Sequence, residues 1–436
     1  MKDRSRSQLI RTKLQGLAQQ AKDYPESVFT TLVHHIDVEW LGEAYRRTNK
    51  QSAGGVDGVT AQGYGAKLEE NLAGLHERLR NGRYQAPPVE RVWLEKEDGR
   101  KRPIGKPTFE EKIVQRAVVM VLEAVYEQDF YDFSHGFRPG HSPHQALKQL
   151  REESRKQQIS WIVDADVQGY FDEIPHDQLR EMIKRRVNDG GIMRLIGKWL
   201  KAGVMEEGRV SYAGKGSPQG GVISPLLANI YLHYVLDEWY DQEVKPRLKG
   251  KSYLIRYADD FVIGCELESD AQRIMAVLPK RFGKYGLRIH PEKTKLVRFE
   301  RPSQKEKKDD QNGTFDFLGF THYWGRSRQG QWVIKRKTAH KRQRRSLKAI
   351  WHWCKTNRHR SVREQHQQLS LKLRGHYQYY GLRGNYRQLA QVYEAVKRSW
   401  FYWLRRRNRK PRLKGERFGD ILRVLPLPTP RIIHAI

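Results

Sequence analysis

The sequence predicts an α+β fold, and three patterns carry that expectation. Residues 1–320 mix short apolar strands with amphipathic helices, in an order that is neither a βαβ alternation nor all-helical. Beyond residue 338 the apolar spacing turns helical, with segments near 338–356, 364–380 and 385–406. The composition shifts near 320. The first part is almost balanced, with 52 Lys and Arg against 46 Asp and Glu, whereas 321–436 holds 30 basic residues against four acidic ones (Glu364, Glu394, Glu416 and Asp420). That second part carries +26 of the chain's net +32, and six of its 11 tryptophans.

In chain order, residues 1–50 read as helical and mixed in charge, with no functional signal. GGVDGVT at 54–60 is a Gly-rich loop, and 89–108 reads as two short strands around an Asp98-Gly99 turn. Thr108 caps the helix that follows, Glu111 completes a capping box, and Ile113, Val114, Ala117, Val118, Val121, Leu122 and Val125 recur on one face. After a loop at 134–142, SWIVDAD at 160–166 is an apolar strand ending in acids. Pro175 opens a helix to Val187, and a second helix covers 192–202. A tight loop follows at 217–221. Ser224 then caps a helix to Val244, with Pro225 at its first position. SYLIRYADDFVIGCE at 252–266 gives two strands with acids at the turn, and a helix follows at 269–284. Strands are expected near 286–290, 295–299 and 315–320. The last thirty residues, with four prolines, are expected to be irregular.

Several function classes drop out. There is no run of about 18 apolar residues to span a membrane, and the first residues lack the apolar core of a signal peptide. Two distant cysteines, Cys265 and Cys354, exclude a disulfide scaffold and a four-cysteine zinc site, and fit a reducing cytosol. A net +26 over 116 residues, interleaved with aromatics, is the footprint of a nucleic-acid binder, because Lys and Arg displace counterions from phosphates.

The sharpest chemical feature is Tyr257-Ala258-Asp259-Asp260. Adjacent carboxylates between two apolar strands repel each other unless a cation lies between them. Asp164 and Asp166 share parity at the end of another apolar strand. Either pair alone reads first as a solvated turn or a helix cap. Together they are the acid set that two-metal phosphoryl transfer requires.

What lies between and around these acids resembles the palm of a reverse transcriptase. Phe171 falls five residues after Asp166 in Asp-Val-Gln-Gly-Tyr-Phe-Asp. Ser217-Pro218-Gln219-Gly220 follows, and then Tyr-Ala-Asp-Asp. Further segments extend the resemblance to the group II intron reverse transcriptase/maturase family over nearly the whole chain. They are GGVDGVT (54–60), RPIGKPTFEEKIVQRAV (102–118), HGFRPGHSPHQAL (135–147), GSPQGGVISPLLANIYL (216–232), GLRIHPEKTKLV (286–297), FDFLGF (315–320) and LKLRGHYQYYGLRGNY (371–386).

The resemblance implies right-hand polymerase fingers and palm over 51–320, after an N-terminal helical extension at 1–50. It implies an α-helical thumb, or maturase domain, at 321–406. A basic C-terminal segment at 407–436 is a candidate DNA-binding element. It makes Asp166, Asp259 and Asp260 the catalytic acids, holding two Mg²⁺ ions (or Mn²⁺ in their place) with the Val167 carbonyl. Asp164 and Asp172 are then structural, with Asp172 a turn cap. Lys96 and Arg102 clamp the triphosphate of the incoming nucleotide, Gln219 touches the nucleotide or the template, Lys293 or Lys295 lies near the pyrophosphate, and Phe171 stacks under the sugar and rejects ribose. Arg138, Lys372, Arg374, Arg383 and Arg387 face nucleic acid, while at least half of His376, Tyr377, Tyr379 and Tyr380 fill the core. The implied activity is RNA-directed DNA polymerisation with splicing assistance to a structured group II intron RNA, and copying of that RNA during intron mobility. The partners are RNA, a DNA primer or target and dNTPs, in a bacterial cytosol near the nucleoid. The chain has no Cys-rich His-Asn-His segment, so second-strand cleavage is not expected of it. Two alternatives stay open: a host-domesticated relative in defence, CRISPR adaptation or DNA repair, and an RNA chaperone without polymerase activity.

Overall fold

The computed structural model describes residues 2–95, 101–206, 209–211, 215–216, 220–302, 313–407 and 413–436. The chain forms two compact units. One comprises 1–142, 165–263 and 269–295, and the other 143–164, 264–268 and 296–436. The division does not fall at residue 320, where composition changes: the second unit recruits two earlier stretches of chain.

The first unit is built around the helix Phe109–Tyr126. Thr108 caps it by accepting from the Glu111 N–H at 3.3 Å, as expected. The Glu111 side chain turns instead to Gln115, accepting at 2.9 Å, and burial pushes its carboxyl up to about 7. Apolar residues on every face of the helix are buried, so it needs cover all round. The N-terminal helices Lys2–Asp23 and Val38–Arg47 pack against it, and the Trp40 indole donates to the Ala117 carbonyl at 3.0 Å. A sheet orders strands Lys101–Lys106, Val89–Glu95, Val204–Glu206 and Arg209–Ser211. The first two are the expected strands, paired antiparallel with Leu94 opposite Arg102; the Asp98-Gly99 turn expected between them lies outside the described residues. The helix expected from Ser224 begins there with Ile223 at the cap, so Ser224 is its first helical residue; wider turns carry it on to Val244. The helices expected after Pro175 and near 192 are present at His176–Lys184 and Gly190–Lys201.

The second unit joins an antiparallel sheet to a helical bundle. Strands Phe315–Phe317, Phe320–Arg326 and Trp332–Thr338 form the sheet. Helices His340–Thr356, Val362–Tyr380 and Tyr386–Arg405 match the three expected segments to within two residues. Ser361 and Glu364 close a capping box on the second. The three helices enclose Cys354, Leu369, Leu373, Tyr377, Val396 and Trp400. The chain end is not irregular throughout. A helix forms at Gly415–Val424, Phe418 and Leu427 enter the same core, and His434 bridges to Leu382. Both cysteines are free and buried. No helix among the described residues is long and apolar enough to cross a membrane.

The sheet buries His322 opposite Arg336, with the ring stacked 4.8 Å from Phe315. Burial, with the Arg336 charge acting the same way, pushes the imidazole down to about 3. The folded state therefore holds a neutral ring where the unfolded chain takes up a proton near its ordinary value. Between about pH 6.5 and that lowered value the unfolded state binds more protons, so stability falls as pH falls. Melting curves from pH 7 to pH 5 should show this decline, and His322→Phe should make it shallower. An unchanged slope in the variant would remove His322 as a cause.

Candidate active site

The acid-bearing turn lies between strands Ser252–Tyr257 and Asp260–Cys265, neighbours in one sheet. Their apolar side chains are buried, which drives the strands inward and leaves the acids at the end of the hairpin. Ala258 sits in the left-handed region at φ +58, where a residue with a Cβ costs roughly 1–2 kcal/mol. Asp259 is half-buried and Asp260 exposed.

Asp166 follows the strand Trp161–Ala165 and has its carbonyl fixed by the His290 N–H at 2.8 Å. Val167, buried, pairs antiparallel with Ile289. The Asp166 carboxylate is partly exposed and meets the Lys293 ammonium at 2.8 Å. Gly169, at φ +59, turns the chain into the short helix Tyr170–Glu173. The buried Tyr170 hydroxyl donates to the Ala228 carbonyl at 2.5 Å. Burial pushes this hydroxyl well up, and the Asp259 charge adds to the shift. Asn229, next to Ala228 in the helix Ser224–Leu232, accepts from Arg256 at 3.0 Å, just before the acid-bearing turn. Both acid-bearing segments therefore rest on the helix Ser224–Leu232.

Phe171 is 9% exposed, edge-on to Tyr170 at 5.4 Å. Asp172 is exposed within the short helix, whose N-cap is Gly169 rather than Asp172. Lys96 and Gln219 lie outside the described residues, as does the 217–219 loop. Arg102 is placed on its strand by its backbone register.

Arg138 is buried. Its guanidinium is buried over the Phe130 ring, paired with Glu127 at 3.0 Å, and donates to the Tyr131 and Ser134 carbonyls at 2.7 and 2.6 Å. Its Nε and Nη1 are thus engaged on its own chain and organise the 134–142 loop. Lys372, Arg374, Arg383 and Arg387 are exposed, as expected. Tyr377 is core and donates to the Pro428 carbonyl, and Tyr379 donates to the Leu318 carbonyl at 2.9 Å. Burial pushes the His376 ring down to about 4. These side chains hold the fold, as favoured for at least half of them.

The candidate donors are all oxygen, the Asp166, Asp259 and Asp260 carboxylates and the Val167 carbonyl, and suit a hard cation such as Mg²⁺ or Mn²⁺. Among the described residues no three His, Cys, Asp or Glu side chains are gathered closely enough to enclose an ion. Lys293 supplies the positive charge facing Asp166. The sequence reading passed over Arg256, Asp237 and Asn229, buried polar residues behind the turn. The available signal was a lone arginine inside the apolar run Leu-Ile-Arg-Tyr.

Two adjacent acids at the turn of an apolar hairpin, resting on the same helix as the segment that follows Asp166, fit the class of nucleotidyl-transferring polymerases. Residues 94–322 match the family "Reverse transcriptase (RNA-dependent DNA polymerase)". The chain is 34% identical to Protein YkfC of Escherichia coli over 331 residues, 67% of this chain and 82% of that protein. It is 38% identical to the group II intron-encoded protein LtrA of Lactococcus lactis over 225 residues, 50% of this chain and 37% of that protein. It is 31% identical to the mitochondrial Nuclear intron maturase 1 of Arabidopsis thaliana over 96 residues, 22% of this chain and 13% of that protein. The chain belongs to the reverse transcriptase family, and its relatives there are group II intron-encoded proteins and maturases.

Proposed function

We propose that the protein copies structured RNA into DNA by two-metal nucleotidyl transfer, and that it binds group II intron RNA, assists its splicing and serves its mobility. The observation that carries the reading is the Asp259–Asp260 turn, set on the same helix as the segment that follows Asp166. Asp166, Asp259 and Asp260, with the Val167 carbonyl, hold the ions. When bound, divalent metal lowers the pKa of the primer 3′-hydroxyl and neutralises charge on the leaving pyrophosphate. Lys293 trades its contact with Asp166 for the triphosphate. Lys96 and Arg102 grip the same group, and Gln219 touches the nucleotide or the template. Extension of a DNA primer on an RNA template with Mg²⁺ and dNTPs tests the activity. RNA binding without any extension would favour an RNA chaperone.

Phe171 is proposed to lie beneath the sugar, where its ring overlaps a 2′-hydroxyl. Phe171→Ala should raise incorporation of rNTPs relative to dNTPs in a folded enzyme. If the ring only fills the core, the same change costs roughly 3–5 kcal/mol of stability with sugar selectivity unchanged. The dNTP/rNTP efficiency ratio, with a melting curve on the same sample, separates the two.

Lys372, Arg374, Arg383 and Arg387 are proposed to neutralise RNA phosphates, and the basic 407–436 segment to meet DNA. Replacing all four with alanine should reduce the slope of log affinity against log salt by about 3, since each lost phosphate contact removes about 0.7–0.9. Filter binding across a salt series reads this. An unchanged slope would place the RNA surface elsewhere.

A further inference from the structure

The turn carrying Asp259 and Asp260 is held from behind by a buried polar cluster outside the acid set. Arg256 and Asp237 are both fully buried. The guanidinium grips the carboxylate through two bonds, Nε to Oδ1 at 2.7 Å and Nη2 to Oδ2 at 2.5 Å. The remaining nitrogen, Nη1, donates to Asn229 Oδ1 and to the Ala258 carbonyl, each at 3.0 Å. The Asn229 amide donates to the Gly136 carbonyl at 2.6 Å. The Arg256 backbone is pinned as well: its N–H donates to the Phe133 carbonyl and its carbonyl accepts from the His135 N–H, both at 2.9 Å.

We propose that Arg256, supported by Asp237 and Asn229, is a positioning residue for polymerisation: it fixes the Ala258 carbonyl and so sets the direction in which Asp259 and Asp260 leave the turn. The proposal rests on the reading of those two acids as catalytic. Apolar residues of similar volume replace a buried ion pair with little or no loss of stability, and often with a gain. They cannot donate a hydrogen bond to Ala258. That carbonyl belongs to a residue at φ +58, where alanine does not settle unaided, and it leads directly into the peptide of Asp259. Asp237 fixes the plane of the guanidinium, leaving Nη1 aimed at the turn. Asn229 ties the same nitrogen to the loop at Gly136. Releasing the carbonyl lets the Ala258–Asp259 peptide rotate, and a shift of about 1 Å in a reacting group costs about 100-fold in rate.

The test replaces the pair together, R256M with D237L, in the full-length protein, so that no buried charge is left alone. Single-turnover extension at saturating dNTP, primer–template affinity, a melting curve and Mn²⁺ binding by electron paramagnetic resonance are measured beside the wild type and Asp259→Ala. The expected result is a folded protein with unchanged primer–template affinity, weakened Mn²⁺ binding and a saturated rate down by about 100-fold. Arg256→Lys, which keeps a cation beside Asp237 but lacks the fork, should recover part of that rate. A folded double variant extending at the wild-type rate overturns the proposal. If the double variant does not fold, Arg256→Lys decides: a wild-type rate in that variant overturns the proposal, and a fall confined to the saturated rate supports it. If the wild type itself fails to extend, or Asp259→Ala extends as well as it does, the assignment of the acids has failed instead.

Discussion

Asp259→Ala is expected to abolish primer extension while leaving RNA affinity where it was. Asp259 sits half-buried at the end of a hairpin whose strands are otherwise apolar and buried. Its carboxylate belongs to the polar end, so alanine removes a charge without opening a cavity in the core. On the proposed reading, what is lost is one hard oxygen ligand of the three carboxylates assigned to the ions. Removing a ligand that holds a charge-neutralising ion is worth on the order of 4 kcal/mol of transition-state stabilisation, about a thousandfold in rate. RNA affinity is proposed to be carried elsewhere, by the basic excess after residue 320. Asp166→Ala should behave alike, with a further sign of its own: Lys293 loses its partner and is left beside the triphosphate. Primer extension with Mg²⁺, run beside filter binding on one protein preparation, reads both quantities. Extension at the wild-type rate by Asp259→Ala would end the assignment of the site, and a parallel loss of RNA binding would mean that the acids shape the RNA surface too.

What could be read from the sequence divides along the range of the interactions. The acid-bearing hairpin was legible because its signal is local: two apolar strands with the acids at the turn between them. The three helices of the second unit were legible because their apolar residues recur at helical spacing. The hairpin Phe320–Arg326 and Trp332–Thr338 was not read as such. Two of its inward positions are filled by His322 and Arg336, which break the alternation that marks a half-buried strand. The helix Gly415–Val424 was hidden by the prolines around it, three of which lie beyond its end at Pro426, Pro428 and Pro430. The partners of Arg138 were hidden for a related reason. An arginine in a Gly-rich loop looks solvent-facing until Glu127, on the helix end before it, turns out to hold it. The Arg256 cluster depends on partners 19 and 27 residues away and on a loop more than a hundred residues earlier. No local pattern reports such contacts.

Gly136→Ala should damage catalysis far more than it damages the fold. Gly136 has no unusual backbone angle, so the need for glycine comes from space. A Cβ built there falls 2.1 Å from the Ala258 nitrogen, 2.8 Å from the Tyr257 carbonyl carbon and 2.9 Å from the Ala258 Cα. All three are main-chain atoms, which cannot swing aside as the end of a flexible side chain does. Either the 134–142 loop or the catalytic turn must move. The loop is anchored by Arg138 on its own carbonyls and by the His135 N–H on the Arg256 carbonyl. The turn ends in exposed Asp260 and has room to shift outward. Displacement therefore falls mainly on Ala258 and the acids after it. Overpacking of this kind costs typically 1–3 kcal/mol of stability, which a protein of ordinary stability survives, whereas a displacement of about 1 Å at the reacting groups costs about 100-fold in rate. The measurement is the saturated extension rate and the melting temperature of Gly136→Ala, beside Gly140→Ala as a reference. Gly140 lies in the same loop with nothing within 4 Å of a built Cβ, and at φ +74 alanine strains its backbone without touching the turn. Gly140→Ala should lose stability and keep its rate, and Gly136→Ala should lose its rate by the larger factor. Equal rates in the two variants would show that the loop yields instead, and that the close packing of Gly136 on Ala258 does not set the position of the acids.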